Sequence, residues 1–253
     1  MTAQAKIHQG FGPLLDHFHY IRPNDIEMLE KEMDQHGSEM CALVLELVQG
    51  EGGVRPLDAE YVKAARQLCD ENDVLLILDE IQTGMGRTGK LFAYEHFDIV
   101  PDAMTLAKGL GNGFPIGAVV IREDRADLIH PGVHGTTFGG NHLGARVAYE
   151  TLKIIVTRDI LDNVNALSDY FLRRLKGMQL NLKCITDVRG MGLHIGVELD
   201  RPGAAVVDRC RELGLLVNCT AETTIRIVPP LNLPLESAAE GLDILEKVFQ
   251  ELK

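Results

Sequence analysis

Apolar residues follow a different rhythm in each half of this chain. Val74 to Leu78 run apolar without alternation, between the turn cluster Asp70, Glu71, Asn72, Asp73 and two carboxylates, Asp79 and Glu80. An unbroken run of that length reads as a strand buried on both faces, as in a parallel sheet. "MCALVLELV" (40–48), "DAMTLA" (102–107) and "PIGAVVI" (115–121) read as further strands. Over 59–70, Tyr61, Val62, Ala65, Leu68 and Cys69 recur at helical spacing, with Asp58 ahead of them as the N-cap. The strand–helix–strand order predicts an α/β half built on a mainly parallel sheet.

After Asn141 the spacing turns helical. One helix is expected to about Val156 and a second over roughly 160–176, with Leu161, Val164, Leu167, Phe171 and Leu175 on one stripe. Short strands follow near 192–199 and 224–229. A last helix carries Ala238, Leu242, Leu245, Phe249 and Leu252 on one face. The pattern divides the chain into a larger α/β domain over 1–156 and a smaller α+β domain over 157–253. Such stripes are core rather than partner surface.

Composition narrows the function classes. The chain has 253 residues and a net charge of −12, from 25 basic and 37 acidic residues, with no lysine or arginine run. That balance argues against nucleic acid or an anionic membrane as partner. The longest apolar runs are strand-sized, so no span of a bilayer is expected. The opening "MTAQAKIHQGF" has no apolar leader core. Cysteines at 41, 69, 184, 210 and 219 are odd in number and form no CxxC pair. They read as free thiols in a reducing compartment, which predicts a cytoplasmic protein.

The stretch 74–90 poses the chemical question, because open α/β sheets hold ligands at the C-terminal ends of their strands. "GMGRTGK" (84–90) has the spacing of a phosphate loop, but Leu91 stands where the metal-binding hydroxyl belongs. The loop also follows directly on the acidic strand, whereas an ATPase draws the two from different strands. "GLGNG" (109–113) precedes a strand rather than opening a helix, so it does not read as a dinucleotide motif. Lys108, at the end of the short strand 102–107, is expected at the same sheet edge as Asp79. A surface lysine is the ordinary alternative. In a pocket, a lysine becomes an amine nucleophile toward carbonyls. A lysine and an acid on neighbouring strands suit pyridoxal phosphate, whose carbonyl bonds the lysine and whose pyridinium pairs with the acid.

"LILDEIQTGMGRTGKLFAYEHFDIVPDAMTLAKGLGNGFPIGA" resembles the class III pyridoxal-phosphate aminotransferases, in particular those acting on acetylornithine. "LELVQGEGGV" (45–54), "HGTTFGGN" (134–141) and "IRIVPPL" (225–231) are similar to further blocks of that family, in the family's order. The resemblance implies an aspartate-aminotransferase-like fold of type I, here part of the large domain with a smaller C-terminal domain. It implies transamination of N-acetylornithine with 2-oxoglutarate in arginine biosynthesis, by a homodimer. Ornithine, succinylornithine, succinyldiaminopimelate and 4-aminobutyrate are the alternative amino donors. An inactive chain that only pairs with a full-length subunit is the alternative of a different class.

Residue by residue, the resemblance assigns Lys108 as the Schiff-base lysine and Asp79 as the carboxylate facing the pyridine nitrogen. Gln82 matches the partner of the cofactor's phenolic oxygen, and Glu80 and Ile81 lie in the same cofactor-binding run. Thr137 matches a threonine that reaches the cofactor phosphate of the neighbouring subunit, and Thr136 a residue beside the substrate. Arg226 matches the clamp for the α-carboxylate of 2-oxoglutarate or glutamate, for which arginine's fork is well suited. Glu51 matches the carboxylate that covers it. No metal is implied. The chain departs from the family at Leu47 and His142, where prolines are usual. Residues 1–22 resemble a segment well inside the family's chain. The Ser/Thr-Gly phosphate block, the ring-stacking aromatic and an arginine for the acetylornithine carboxylate have no counterpart, so a fragment is expected.

Overall fold

The computed structural model describes residues 2–251. A single turn, α1 (Ala5–His8), buries nothing, and irregular chain leads to α2 (Ile26–His36). Asp25 caps α2 by accepting the Met28 N–H at 2.9 Å, and Leu29 and Met33, one turn apart, form its buried stripe. The expected strand 40–48 is two elements, β1 (Ala42–Leu45) and β2 (Val48–Gln49). Glu46 interrupts them by turning its carboxylate back onto the Gly50 N–H. A hairpin then pairs β2 with β3 (Arg55–Pro56). The helix expected over 59–70 is α3 (Ala59–Glu71), burying Tyr61, Val62, Ala65 and Cys69. Asp58 occupies its N-cap position with extended backbone, but its side chain accepts no helix N–H.

β4 (Leu75–Asp79), β5 (Ala103–Leu106) and β6 (Ala118–Ile121) complete a sheet of order β1-β4-β5-β6. β1, β4 and β5 are parallel, whereas β6 runs antiparallel to β5. A parallel return needs a crossover of about a dozen residues or more, usually a helix, and residues 107–117 offer only a 3₁₀ turn. The expected strand–helix alternation therefore holds for β1-α3-β4 alone. β4 is also not buried on both faces: Leu76 and Leu78 are buried against the helices, but Leu75 and Ile77 are half-buried. One buried acid anchors the sheet. Asp102 accepts the Leu76 N–H and an Arg66 N–H, both at 2.8 Å, and meets Arg122 at 3.1 Å.

In the second half, α4 (His142–Thr157) starts where Asn141 accepts the Gly144 N–H at 2.7 Å. α5 (Ile160–Asn181) runs five residues past its expected end. β7 (Ile185–Met191), β8 (His194–Leu199), α6 (Ala204–Glu212), β9 (Asn218–Thr220), β10 (Thr224–Ile227) and α7 (Leu235–Glu251) follow. The strands form an antiparallel sheet of order β7-β8-β10-β9. Val164, Leu167, Phe171 and Leu175 of α5 and Ala238, Leu242, Leu245 and Phe249 of α7 pack on Ile195 and Val197 of β8. Leu252, expected on the α7 stripe, lies outside the described residues. A separate core gathers α2, α3, β4 and β5, and Ile160 and Leu231 pack against both cores. All five cysteines are free. No helix among the described residues is long and apolar enough to cross a membrane.

Candidate active site

Parallel pairing delivers two chemical groups to one edge of the first sheet. Asp79 ends β4 opposite Thr105 of β5, and Lys108 follows two residues after β5 ends. Asp79 Oδ1 accepts the Ile81 N–H at 3.0 Å, which fixes the turn out of the strand. Lys108 adopts a left-handed backbone with φ 42°, which costs a non-glycine residue about 1–3 kcal/mol. Its carbonyl accepts the Gly111 and Asn112 N–H groups at 3.1 and 3.2 Å. The lysine expected in a pocket has an exposed side chain instead. The groups around it leave its outer side uncovered.

A second set comes from the 46–56 segment and β10. Arg226 Nη1 donates to Glu51 Oε1 at 2.7 Å and approaches Gln82 Oε1 at 3.5 Å, while its Nε donates to Asn218 Oδ1 at 3.1 Å. The arginine side chain is 12% exposed and the glutamate 60%, so the glutamate lies on the solvent side of the pair. Arg226's hydrogen bond is the main reason that the Glu51 carboxyl is held below its ordinary pKa. The Thr220 hydroxyl donates to the Glu51 carbonyl at 2.6 Å and fixes the backbone there. Gln82's amide packs closely on Gly50, and a Cβ there, 2.5 Å from Gln82 Oε1, would push the amide away.

Two residues of the site escaped the sequence reading. Glu46 follows β1, whose Leu45 pairs with Leu78, so it stands beside Asp79. Burial raises its pKa, the Gly50 N–H opposes that, and the charge of Asp79 adds to the rise while Lys108 lowers it. The strand-end reasoning that selected Asp79 applies equally to Glu46. His194 opens β8 with its ring fully buried and neither nitrogen hydrogen-bonded. Its pKa is pushed down to about 4, first by burial and then by the positive charges of Arg87, Arg226 and Lys108, against Glu51. No spacing signal marks it, because "GLHIGVEL" reads as an ordinary core strand.

Other expected members are placed differently. Glu80 is buried, and its carboxylate accepts the Thr83 hydroxyl at 2.5 Å and the Ala93 and Tyr94 N–H groups at 3.1 and 3.0 Å. It holds the loop together and has no free oxygen to offer a ligand. Ile81 is half-buried and presents no polar side chain. Thr136 and Thr137 are exposed, in a segment without regular structure, and neither hydroxyl has a partner among the described residues. The glycine-rich 84–90 loop binds protein rather than phosphate. Arg87 Nη1 donates to the Leu193 and Pro229 carbonyls at 3.1 and 2.6 Å, and Asn165 donates to the Gly89 carbonyl at 3.1 Å. Gly192 packs so closely on this loop that a Cβ there would lie 2.4 Å from the Thr88 carbonyl carbon.

The donor set fits pyridoxal phosphate: a lysine and a carboxylate at one sheet edge, a neutral amide beside them, and an arginine–glutamate pair that touches the amide. Comparison with known proteins identifies the family. The model of the family described as aminotransferase class-III matches residues 1–249. The acetylornithine aminotransferase of Caldanaerobacter subterraneus subsp. tengcongensis is 48% identical over 253 residues, covering 100% of this chain and 63% of the relative. That of Methanocaldococcus jannaschii is 43% identical over 252 residues, with 100% and 63% covered. Among solved structures, the ornithine aminotransferase of Toxoplasma gondii superposes with a TM-score of 0.94 at 35% identity, covering 99% of this chain and 60% of that one. The acetylornithine aminotransferase of Elizabethkingia anophelis gives 0.89 at 34%, covering 96% and 62%. The chain thus spans about 63% of the length of the curated relatives it matches. Its sheet is that of the aspartate-aminotransferase-like type I fold, and the chain belongs to the class-III aminotransferases.

Proposed function

We propose that this chain carries the lysine, the ring-nitrogen acid and the carboxylate clamp of a pyridoxal-phosphate-dependent transaminase. Its substrates are N-acetylornithine and 2-oxoglutarate, its products the semialdehyde and glutamate. The observation that carries the reading is the delivery of Asp79 and Lys108 from adjacent parallel strands to one edge. When bound, pyridoxal phosphate supplies an electron sink for the bonds at the substrate's Cα. Lys108 anchors the cofactor, and its amine takes and returns the proton at that carbon. Asp79 keeps a proton on the ring nitrogen, since a carboxylate within about 4–6 Å favours a cation by one to three pKa units. Gln82 gives the phenolic oxygen a neutral hydrogen-bond partner where a second carboxylate would repel it.

Arg226 and Glu51 serve the two half-reactions in turn. With 2-oxoglutarate or glutamate in the site, the guanidinium takes the α-carboxylate in place of Glu51. With the acetylornithine donor, Glu51 stays on the arginine, as it does here at 2.7 Å. In this reading Thr136 lies beside the substrate, and the free hydroxyl of Thr137 serves the phosphate of the other subunit in a homodimer. The division between the large and small domains falls at residues 156 and 157. Five unpaired cysteines suit a cytoplasmic location.

Borohydride treatment of the cofactor-loaded enzyme, followed by peptide mapping, tests the assignment. The label is expected on Lys108. Label on Lys90 refutes it.

A further inference from the structure

We propose that His19, Glu32 and His36 form a binding site for one divalent transition-metal ion of the zinc class. None of the three belongs to the site described above. Glu32 and His36 are four residues apart on α2 and therefore share a helix face. The segment before α2 brings His19 to them, with Nδ1 3.0 Å from Glu32 Oε2. The two imidazole rings lie with centroids 4.6 Å apart, tilted by 58°, and one potential ligand atom from each of the three residues lies within 4.8 Å of the others.

An ion pair between His19 and Glu32 explains only part of this arrangement. It leaves the His36 ring without a hydrogen-bond partner among the described residues, although the ring is half-buried beside a second imidazole. A shared cation engages all three. Two imidazoles and one carboxylate suit zinc, whereas calcium and magnesium take oxygen ligands. At metal–ligand distances of about 2.0–2.2 Å, tetrahedral donors sit roughly 3.4 Å apart. The present separations, up to 4.8 Å, are wider than that, so binding draws the three side chains together.

The chain that follows His19 is anchored. The Arg22 guanidinium pairs with Asp25 at 2.9 Å, and Ile21 and Ile26 pack on the first core. A bound ion would tie the irregular chain before residue 20 to α2 and leave a fourth position for water.

The test is a titration of the purified chain with Zn²⁺ against a chromophoric chelator, alongside the Co²⁺ absorption spectrum. The expected result is one equivalent bound, with a tetrahedral Co²⁺ spectrum lacking a thiolate charge-transfer band. Zn²⁺ should also slow proteolytic cleavage between residues 9 and 20. His36→Ala and Glu32→Gln should each weaken binding by about tenfold or more, the scale on which even outer-shell losses act. His19→Asn, at an exposed position outside any helix, should do the same with the fold intact. No stoichiometric binding, a thiolate band from the free cysteines, or affinity unchanged in His19→Asn would each overturn the proposal.

Discussion

The two sheets of this protein are covered very differently. In the second, β8 is almost wholly buried, with Ile195 and Val197 fully enclosed in the core that α5 and α7 share. In the first, Val119 and Val120 of β6 are 60% and 44% exposed, and Val44 of β1 is 38% exposed. α4 is similarly open, with Leu143, Tyr149 and Val156 each more than half exposed. The closed sheet carries Arg226 on a rigid backing, while the open sheet carries Asp79 and Lys108 at its edge. The edge that presents Asp79 and Lys108 thus belongs to the more open of the two sheets, and Arg226 to the more enclosed one.

The sharpest break of this comparison is at Asp102, the anchor of the open sheet. Its burial raises the pKa, but the Leu76 N–H and Arg66 more than offset that, and the net shift is downward. Asp102→Ala leaves the Leu76 N–H unpaired and strips Arg66 of its buried partner, leaving it only the outer Asp70 and the Val100 carbonyl, and should cost about 3–5 kcal/mol in denaturant titration. Because the folded pKa lies below the unfolded one, this stabilisation is full above the ordinary carboxylate range. It is lost as pH falls through the folded value. A change below about 1 kcal/mol would show that the first sheet does not depend on this acid.

Next in size is the contrast between the cores. Leu242→Ala, at a fully buried position of α7, should cost about 2–5 kcal/mol, whereas Val119→Thr should stay within about 0.5 kcal/mol. Thermal unfolding of both variants measures this. A large loss at Val119 would mean that β6 is covered after all.

His194 gives a pH signature of the closed side. A fall from the ordinary 6.5 to about 4 means that the unfolded chain binds more protons between those values. Stability should therefore be full above about pH 6.5 and decline as pH drops toward 4, by up to roughly 3 kcal/mol. His194→Met should flatten that part of the profile, and an unchanged slope would assign it to other groups.

The smallest effect concerns the clamp. Arg226→Ala should raise the KM for 2-oxoglutarate roughly ten- to a hundredfold, for a lost charge-assisted contact of about 1.5–3 kcal/mol. The acetylornithine half-reaction should be largely spared, since Glu51 covers the arginine there. Single-turnover measurements with each substrate separate the two, and equal damage would make Arg226 a structural residue.

Sequence alone determined the elements with long, regular patterns. The helical stripes of α3, α5 and α7 and the strand ending at Asp79 are local, because burial repeats every 3.6 residues along a helix and chain punctuation is read from neighbours. The placement of Lys108 and Asp79 at one sheet edge was also legible, since ligands of α/β sheets gather at strand ends. Tertiary structure decided what depends on residues far apart. β6 turns antiparallel because its connection is too short for a crossover, and β7 stayed hidden because a bulge at residues 185–187 breaks the alternation of its buried positions. Glu80 looked like a ligand beside Asp79, yet it is consumed by the Ala93 and Tyr94 N–H groups. Glu51 meets Arg226 across 175 residues, and His194 becomes a buried neutral ring only where the 84–90 loop and β10 close on it. Periodicity reports which face of an element is buried. It carries no information on which distant element buries it, and here that choice sets the charge, exposure and partners of each functional group.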